Sequence, residues 1–165
     1  MPTARVHHLA EGVDLVLPRT FRASIEDVWA AITEPERTAR WFGPWEGEGA
    51  PGRTIQVRML FEEGEPWYPL RIDACEPPRR LAVSSTDESG GWRMELRLVS
   101  HGETTELQLV HHLDSIDPIP DAGPGWEYYL DLLMAAFEGT PQPDFADYHP
   151  ALVPYFQELA GKPAS

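Results

Sequence analysis

His111 is the titratable residue whose position in the sequence could support chemistry. It shares one face of a predicted strand with Leu107 and Leu109, so we expect its ring to point inward while His112 points outward. Burial among apolar side chains favours a neutral imidazole, which could orient a carbonyl or phenol, or move a proton. Tyr129, on a predicted helix, is the candidate phenolic partner. For both residues the alternative is packing alone, with the histidine satisfied in the core and the tyrosine hydroxyl at the rim.

A second set of candidates consists of large aromatic rings. The chain contains six Trp, and Trp41, Phe42 and Trp45 lie close together at the predicted end of a helix. Rings crowded into a small domain either fill its core or line a cavity for an apolar guest. We interpret these three residues as the rim of a pocket, with simple core packing as the alternative.

Other kinds of site have weak support in the sequence. The pairs His7–His8 and His111–His112 are adjacent residues without the spacing of metal ligands, and Cys75 is the single cysteine. The segment 87–91 is a turn signal with acidic neighbours, which does not suit a phosphate. A Gly-x-Ser-x-Gly nucleophile motif is absent from the sequence. We therefore predict neither a metal nor a cofactor, and we interpret Cys75 as a half-buried strand residue.

The charge distribution argues against some partners. The formal net charge is −14, and the chain has no Lys or Arg between Leu98 and Gly161. That half would repel nucleic acids and anionic membranes, and it serves either as a solvated surface or as a face for a basic partner. The longest apolar run is too short to span a bilayer, and the N-terminus lacks an apolar signal core, so we expect a cytoplasmic protein without membrane insertion.

Hydrophobic periodicity predicts the elements that position these residues. A strand within 11–23 is followed by a helix capped by Ser24 and by a second short helix over 35–41. Alternating apolar residues between Trp45 and Leu113, separated by turn formers, predict an antiparallel meander with one buried face. A loop over 114–125 precedes a long helix that starts near Trp126 and stops at Gly139. A short helix is predicted near 151–159.

Three segments carry a resemblance to a known family. They are residues 21–37 with Trp41 and Phe42, residues 71–81 around the Pro77-Pro78 turn, and residues 125–133 at the start of the long helix. In this order they resemble the SRPBCC (START/Bet v 1-like) superfamily, in the branch homologous to the activator of the heat-shock-protein ATPase.

The resemblance implies an α+β helix-grip fold, in which a curved antiparallel sheet wraps around a long C-terminal helix and two short helices lie between the first two strands. It divides the chain into three parts: residues 1–10 as a flexible N-terminus, residues 11–138 as the helix-grip domain, and residues 139–165 as a Pro-rich extension packing on the same domain.

In this fold a cavity lies between the sheet and the long helix. The side chains expected to line it are Trp41, Phe42, Trp45, Val57, Met59, Tyr68, Leu70, Trp92, Met94, Leu109, His111, Trp126, Tyr129, Leu133 and Phe137. An apolar lining with few ionisable groups predicts binding of a small hydrophobic or aromatic molecule, lipid-like or polyketide-like.

Two alternatives stay open. One is a cyclase- or hydratase-like enzyme that uses His111 and Tyr129. The other is a cochaperone-like, stress-response interaction protein that uses the acidic surface. We favour a binding protein over an enzyme, without a cofactor, and the resemblance is compatible with a homodimer.

Overall fold

A computed structural model describes residues 4–10, 12–59, 64–87 and 90–161, apart from the side chains of residues 86, 87, 90–92 and 121. Within these residues, eight strands form one curved antiparallel sheet in the order β1-β2-β8-β7-β6-β5-β4-β3. The strands are β1 (Arg5–His8), β2 (Val13–Phe21), β3 (Trp45–Glu46), β4 (Thr54–Arg58), β5 (Trp67–Glu76), β6 (Arg80–Asp87), β7 (Gly90–His101) and β8 (Thr104–Leu113). The helices are α1 (Ile25–Thr33), α2 (Pro35–Thr38), α3 (Ile119–Glu138) and α4 (Val153–Gly161), with a 3₁₀ turn at Phe145–Asp147.

The meander β4 to β8 pairs in sequence order, as its alternation predicts. The first long strand then closes the sheet, because β2 pairs with β8 from Val13↔Leu113 to Phe21↔Thr105. The helix-grip arrangement expected from the sequence is therefore confirmed, with α3 packed against the inner face of the sheet. None of the helices described is long and apolar enough to cross a membrane.

The N-terminal residues differ from the expectation of a flexible segment. Residues 5–8 form an edge strand, with Val6 opposite Leu15 in the ladder to β2. Ala4 is buried, and its carbonyl accepts a hydrogen bond from the Tyr155 hydroxyl at 3.4 Å. Backbone pairing on one side and α4 on the other thus order this segment.

Helix α1 begins where its capping residue predicts. Ser24 has an extended backbone, and its hydroxyl accepts a hydrogen bond from the Asp27 backbone N–H at 3.2 Å. Helix α2 is shorter than predicted and ends at Thr38. The Thr38 hydroxyl donates a hydrogen bond to the carbonyl of Gly43 at 2.7 Å, which closes a tight turn and brings Trp41 and Phe42 back against α1.

Helix α3 starts earlier than its sequence predicts, at Ile119 instead of near Trp126, and it ends at the left-handed Gly139 as expected. Gly123, Pro124 and Gly125 lie inside it, although glycine and proline are poor helix formers. Gly123 is needed because a Cβ there would lie 2.3 Å from a ring carbon of Phe156 on α4. Packing of the two helices therefore overrides the local preference for a loop.

The hydrophobic core lies between the inner face of the sheet and α3. Leu15, Leu17 and Leu109 on the sheet and Leu130 on the helix are fully buried. Phe156 is also fully buried, so α4, which contacts both α3 and β1, completes the core at the β1 edge of the sheet.

Candidate functional site

An apolar cavity of about 110 Å³ lies at the β4–β7 end of the inner face of the sheet, covered by α1, α2 and the segment that leads into β3. Its walls are hydrophobic strand residues, and aromatic rings close one side. The side chains and backbone that line it belong to Ile32, Thr33, Thr38, Trp41, Phe42, Gly43, Trp45, Gly49, Ile55, Val57, Leu70, Ile72, Cys75, Leu81, Val83, Met94 and Leu96.

Hydrogen bonds to α1 hold the two tryptophans of the rim in place. The Trp41 indole N–H donates to the carbonyl of Ala31 at 3.0 Å, and the Trp45 indole N–H donates to the carbonyl of Thr33 at 2.8 Å. Both donors are therefore used by the backbone, and the rings present apolar surface to the cavity. Trp45 also lies over Gly49, where a Cβ would be 2.9 Å from its ring.

Six of the predicted lining residues do line this cavity. They are Trp41, Phe42, Trp45, Val57, Leu70 and Met94. Ile72, Val83 and Leu96 also line the cavity and were not among the predicted lining residues, although Ile72 shares the strand face of Leu70 and Leu96 that of Met94. The ladder places Ile72 opposite Val83 and Val83 opposite Met94, so Ile72, Val83 and Met94 form one row across the sheet under the cavity.

The other predicted lining residues lie outside the set that forms the cavity wall. Met59, Leu109 and Leu133 are buried in the core, and Tyr68 is partly buried beside it. The side chain of Trp92 lies outside the part of the chain that the structure describes.

Three residues of α3 that were expected to line the cavity lie beside it: Trp126, Tyr129 and Phe137. Helix α3 packs against β2, so its rings lie over that half of the sheet. Tyr129 is the nearest of the three to the rim, since its ring centroid is 5.4 Å from that of Phe42. Phe137 packs on Phe21, with ring centroids 4.9 Å apart.

His111 faces α3 while His112 lies on the outer face, as the strand alternation predicts. The His111 ring is buried, and its Nδ1 accepts a hydrogen bond from the Trp126 indole N–H at 3.0 Å. Burial, and secondarily the charge of neighbouring His112, lowers the pKa of His111 to about 4. The ring is therefore neutral at neutral pH. The Trp126 ring packs against both this histidine and Tyr129, with ring centroids 5.8 Å from His111 and 5.9 Å from Tyr129.

The outer face of the sheet carries an ion cluster that the sequence did not reveal. His112 bridges two carboxylates, with Nδ1 2.7 Å from Asp14 and Nε2 2.5 Å from Glu95. Glu95 is buried and also accepts from Arg80 at 2.6 Å and Arg97 at 3.0 Å. Burial would raise its pKa, but these hydrogen bonds outweigh burial and bring the pKa of Glu95 to about 2. The cluster holds β2, β8, β7 and β6 together.

Among the described residues, no group of three or more His, Cys, Asp or Glu side chains is arranged to hold a metal ion. Cys75 is half-buried in the cavity wall, and burial raises the pKa of its thiol. A protonated thiol is a poor nucleophile, so the cavity offers shape and apolar surface in place of reactive groups.

A curved sheet gripping a long helix, with an apolar cavity beside that helix, defines the helix-grip class of proteins. Solved structures of other proteins share this helix-grip fold. Over 98% of both chains, the protein is similar to CalU16 from Micromonospora echinospora, with 27% sequence identity and a TM-score of 0.79. A Bordetella parapertussis protein encoded by gene BPP1335 shares the fold at 23% identity, over 99% of this chain and 93% of that one, with a TM-score of 0.73.

The same fold is found in the Aha1 dimer from Colwellia psychrerythraea, at 18% identity over 76% of this chain and 96% of that one, with a TM-score of 0.65. Residues 22–138 match the family described as Activator of Hsp90 ATPase homolog 1-like protein. The chain therefore belongs to this family, within the SRPBCC superfamily. No curated protein matches the sequence significantly.

Proposed function

We propose that this protein binds a small apolar molecule, the size of a single aromatic ring, in the cavity bordered by Trp41, Phe42 and Trp45. The observation that carries the proposal is the combination of a cavity of about 110 Å³ with a wall whose indole donors are already bonded to the backbone. Such a wall offers dispersion contacts and little else, which favours an apolar guest over a polar one.

The size of the cavity limits the guest. An engineered apolar cavity of about 150 Å³ accepts benzene, so a space of about 110 Å³ suits one ring after a slight adjustment of side chains. A long lipid-like or polyketide-like guest would require α1, α2 and the following segment to move away from the sheet. The superfamily commonly binds hydrophobic ligands, which supports the same kind of function here.

The enzyme alternative receives less support from the geometry. Its two proposed groups, His111 and Tyr129, lie outside the set of residues that forms the cavity wall, and the Trp126 ring packs against both of them. His111 uses its Nδ1 to accept from Trp126, which suits a structural role for this neutral imidazole. A cytoplasmic location, a homodimer and an interaction with a basic partner stay predictions.

The test is a thermal-shift and fluorescence titration with toluene, indole and naphthalene. Ligands that bind only the folded state raise the melting temperature in proportion to the logarithm of their concentration. We expect toluene and indole to do so and to change the tryptophan emission. Reaction of Cys75 with a thiol reagent should slow in their presence, because its side chain lines the cavity.

A matched pair of variants links binding to this cavity. Val57→Phe places a ring in the cavity, whereas Val99→Phe makes the same change on an exposed position of β7. We expect Val57→Phe to abolish the thermal shift and Val99→Phe to retain it. Met94→Ala, which enlarges the cavity, should admit naphthalene. Equal thermal shifts in both Phe variants, with circular dichroism showing that each is folded, would overturn the proposal.

A further inference from the structure

A polar groove with a volume of about 570 Å³ lies beside the part of β2 that β1 leaves uncovered. Its walls are Pro18 to Thr20 on β2, one face of α3, and the segment that carries Tyr148 and Leu152. We call it the β2 groove. It is distinct from the apolar cavity, since Glu127 on its wall is about 200° around α3 from Tyr129, which packs on the cavity rim.

A fixed set of charged groups forms the floor of the β2 groove. Arg19 lies on the same strand face as Leu17 and Phe21 and therefore faces α3. Its Nη2 lies 2.5 Å from Glu127 Oε1, and its Nε lies 3.2 Å from Asp131 Oδ1. The Tyr148 hydroxyl donates to Asp131 Oδ2 at 2.7 Å. Arg19 thus holds the two carboxylates, one turn apart on α3, in a defined position.

Glu127 provides the evidence that this floor is built to receive something. Its side chain is only 2% exposed, and its Oε2 has no hydrogen-bond partner among the described residues. A buried carboxylate oxygen without a donor is costly, and native structures rarely keep one without a functional reason. Glu127 lines the groove while Oε2 is itself buried, so a small shift of this side chain would bring the oxygen to an N–H donor bound in the groove.

The charge of the lining identifies the kind of donor. Four acidic side chains and two arginines line the groove, and one of these arginines, Arg19, is already paired with Glu127 and Asp131. The ring of Tyr148 also lines the groove, and aromatic faces attract cations. The carboxylates outnumber the guanidinium groups, so the lining would repel an anion and attract an ammonium group.

We propose that the β2 groove is a binding site for a small organic cation with primary ammonium groups, such as an aliphatic diamine. One ammonium group donates to the Glu127 and Asp131 carboxylates, and the alkyl chain lies along Leu152. The site is independent of the apolar cavity and of the function proposed for it.

Protonation of Glu127 gives the proposal a distinctive pH dependence. Burial, and secondarily the neighbouring Asp131 carboxylate, raises the pKa of Glu127, and the Arg19 guanidinium opposes that rise. A bound cation prefers the ionised carboxylate, so binding releases a proton and strengthens as the pH increases through the raised pKa. The change should disappear in Glu127→Gln.

The experiment is a calorimetric titration of the full chain with 1,4-diaminobutane at low salt, with chemical-shift mapping by NMR. Its neutral isostere, 1,4-butanediol, controls for shape and hydrogen bonding without charge. We expect saturable binding of the diamine, shifts around Arg19 and Tyr148, and no binding of the diol. Asp131→Asn and Glu127→Gln should each weaken binding at least about tenfold, since a hydrogen bond to a charged group is lost.

Controls separate this site from general attraction to an acidic protein. Glu138→Gln removes one exposed charge from the same helix and should change the affinity less than about twofold. Leu152→Lys places an ammonium group in the groove and should block the diamine while leaving Glu127 and Asp131 intact. Absence of saturable binding to the wild type, equal affinity in all variants, or equal binding of the diol would overturn the proposal.

Discussion

Two glycines in the middle of α3 should respond in opposite directions to the same substitution. At Gly123, a Cβ would lie 2.3 Å and 2.4 Å from two ring carbons of Phe156. At Gly125, two positions further along the same helix, nothing lies within 4 Å of the added atom. Replacing each glycine with alanine therefore changes helix propensity equally and packing differently.

The magnitudes follow from this contrast. Glycine in a helix interior is less favourable than alanine by roughly 0.5–1 kcal/mol, so Gly125→Ala should raise the free energy of unfolding by about that amount. Gly123→Ala gains the same propensity but forces Phe156, which is fully buried, to move. Overpacking of this kind costs typically 1–3 kcal/mol, so the two variants should differ by about 1–3 kcal/mol in stability.

Urea denaturation measures both variants, and a thermal scan should separate their melting temperatures by several degrees, at about 2–4 °C per kcal/mol. Phe156→Leu in the Gly123→Ala background should recover part of the loss, which a double-mutant cycle quantifies. If Gly123→Ala is as stable as Gly125→Ala, the close packing of α3 on α4 is refuted as the reason for glycine at this position.

Three further outcomes can be measured. Glu95 has a pKa of about 2 in the folded protein against a usual 4.5, so the stability that it contributes is complete above pH 4.5 and is lost as the pH falls towards 2. In urea titrations, Glu95→Gln should reduce this fall in the free energy of unfolding at acid pH. His111 should titrate near pH 4 by NMR, and because its usual pKa is 6.5, it should destabilise the fold as the pH falls from 6.5 towards 4, an effect that His111→Gln removes. Trp41→Phe leaves the buried Ala31 carbonyl without its donor and should cost about 1–3 kcal/mol, whereas an unchanged denaturation midpoint would contradict the assigned hydrogen bond.

The strands and most of their faces could be predicted because apolar residues recur at every second position along them. The inward side of β8 carries Leu107, Leu109 and His111, and the structure places each of them towards α3 or the core. The same periodicity placed Val57 and Leu70 on one inner face, where both line the cavity. The face of the sheet on which a side chain lies follows from its position along its own strand, so it can be predicted from the sequence alone.

The position of α3 on the sheet could not be predicted in this way. Alternation along a strand identifies the residues of the inner face, but it does not show which strands the helix covers. In the structure α3 lies over the half of the sheet that contains β2. Trp126 and Tyr129 were therefore assigned to the cavity although they lie beside it. The start of α3 was also misjudged, because Gly123 is compatible with a helix only through its contact with Phe156, far along the chain.

Arg19 could have been found from the sequence. It lies on the same strand face as Leu17 and Phe21, so its guanidinium must face the helix, and a buried charge needs a partner. Glu127 and Asp131 are four residues apart on one face of α3, which is the arrangement that two guanidinium nitrogens can meet. A charged residue, Arg19, on the otherwise apolar inner face of β2 is therefore the feature of the sequence that predicts this ion pair.

The pairing of β2 with β8 gives the family match a consequence for how the domain is defined. The matched residues 22–138 leave out β2, which supplies Leu15 and Leu17 to the core, and α4, which supplies Phe156. A fragment cut at those limits would expose the edge of β8 that pairs with β2, although β8 would stay paired with β7, and would leave the backbone at Gly123 uncovered. Bare strands of this kind aggregate. The range that matches the family is thus shorter than the range that supplies the hydrophobic core. A physical definition of the domain therefore follows the core, from β2 to α4, and not the limits of the family match.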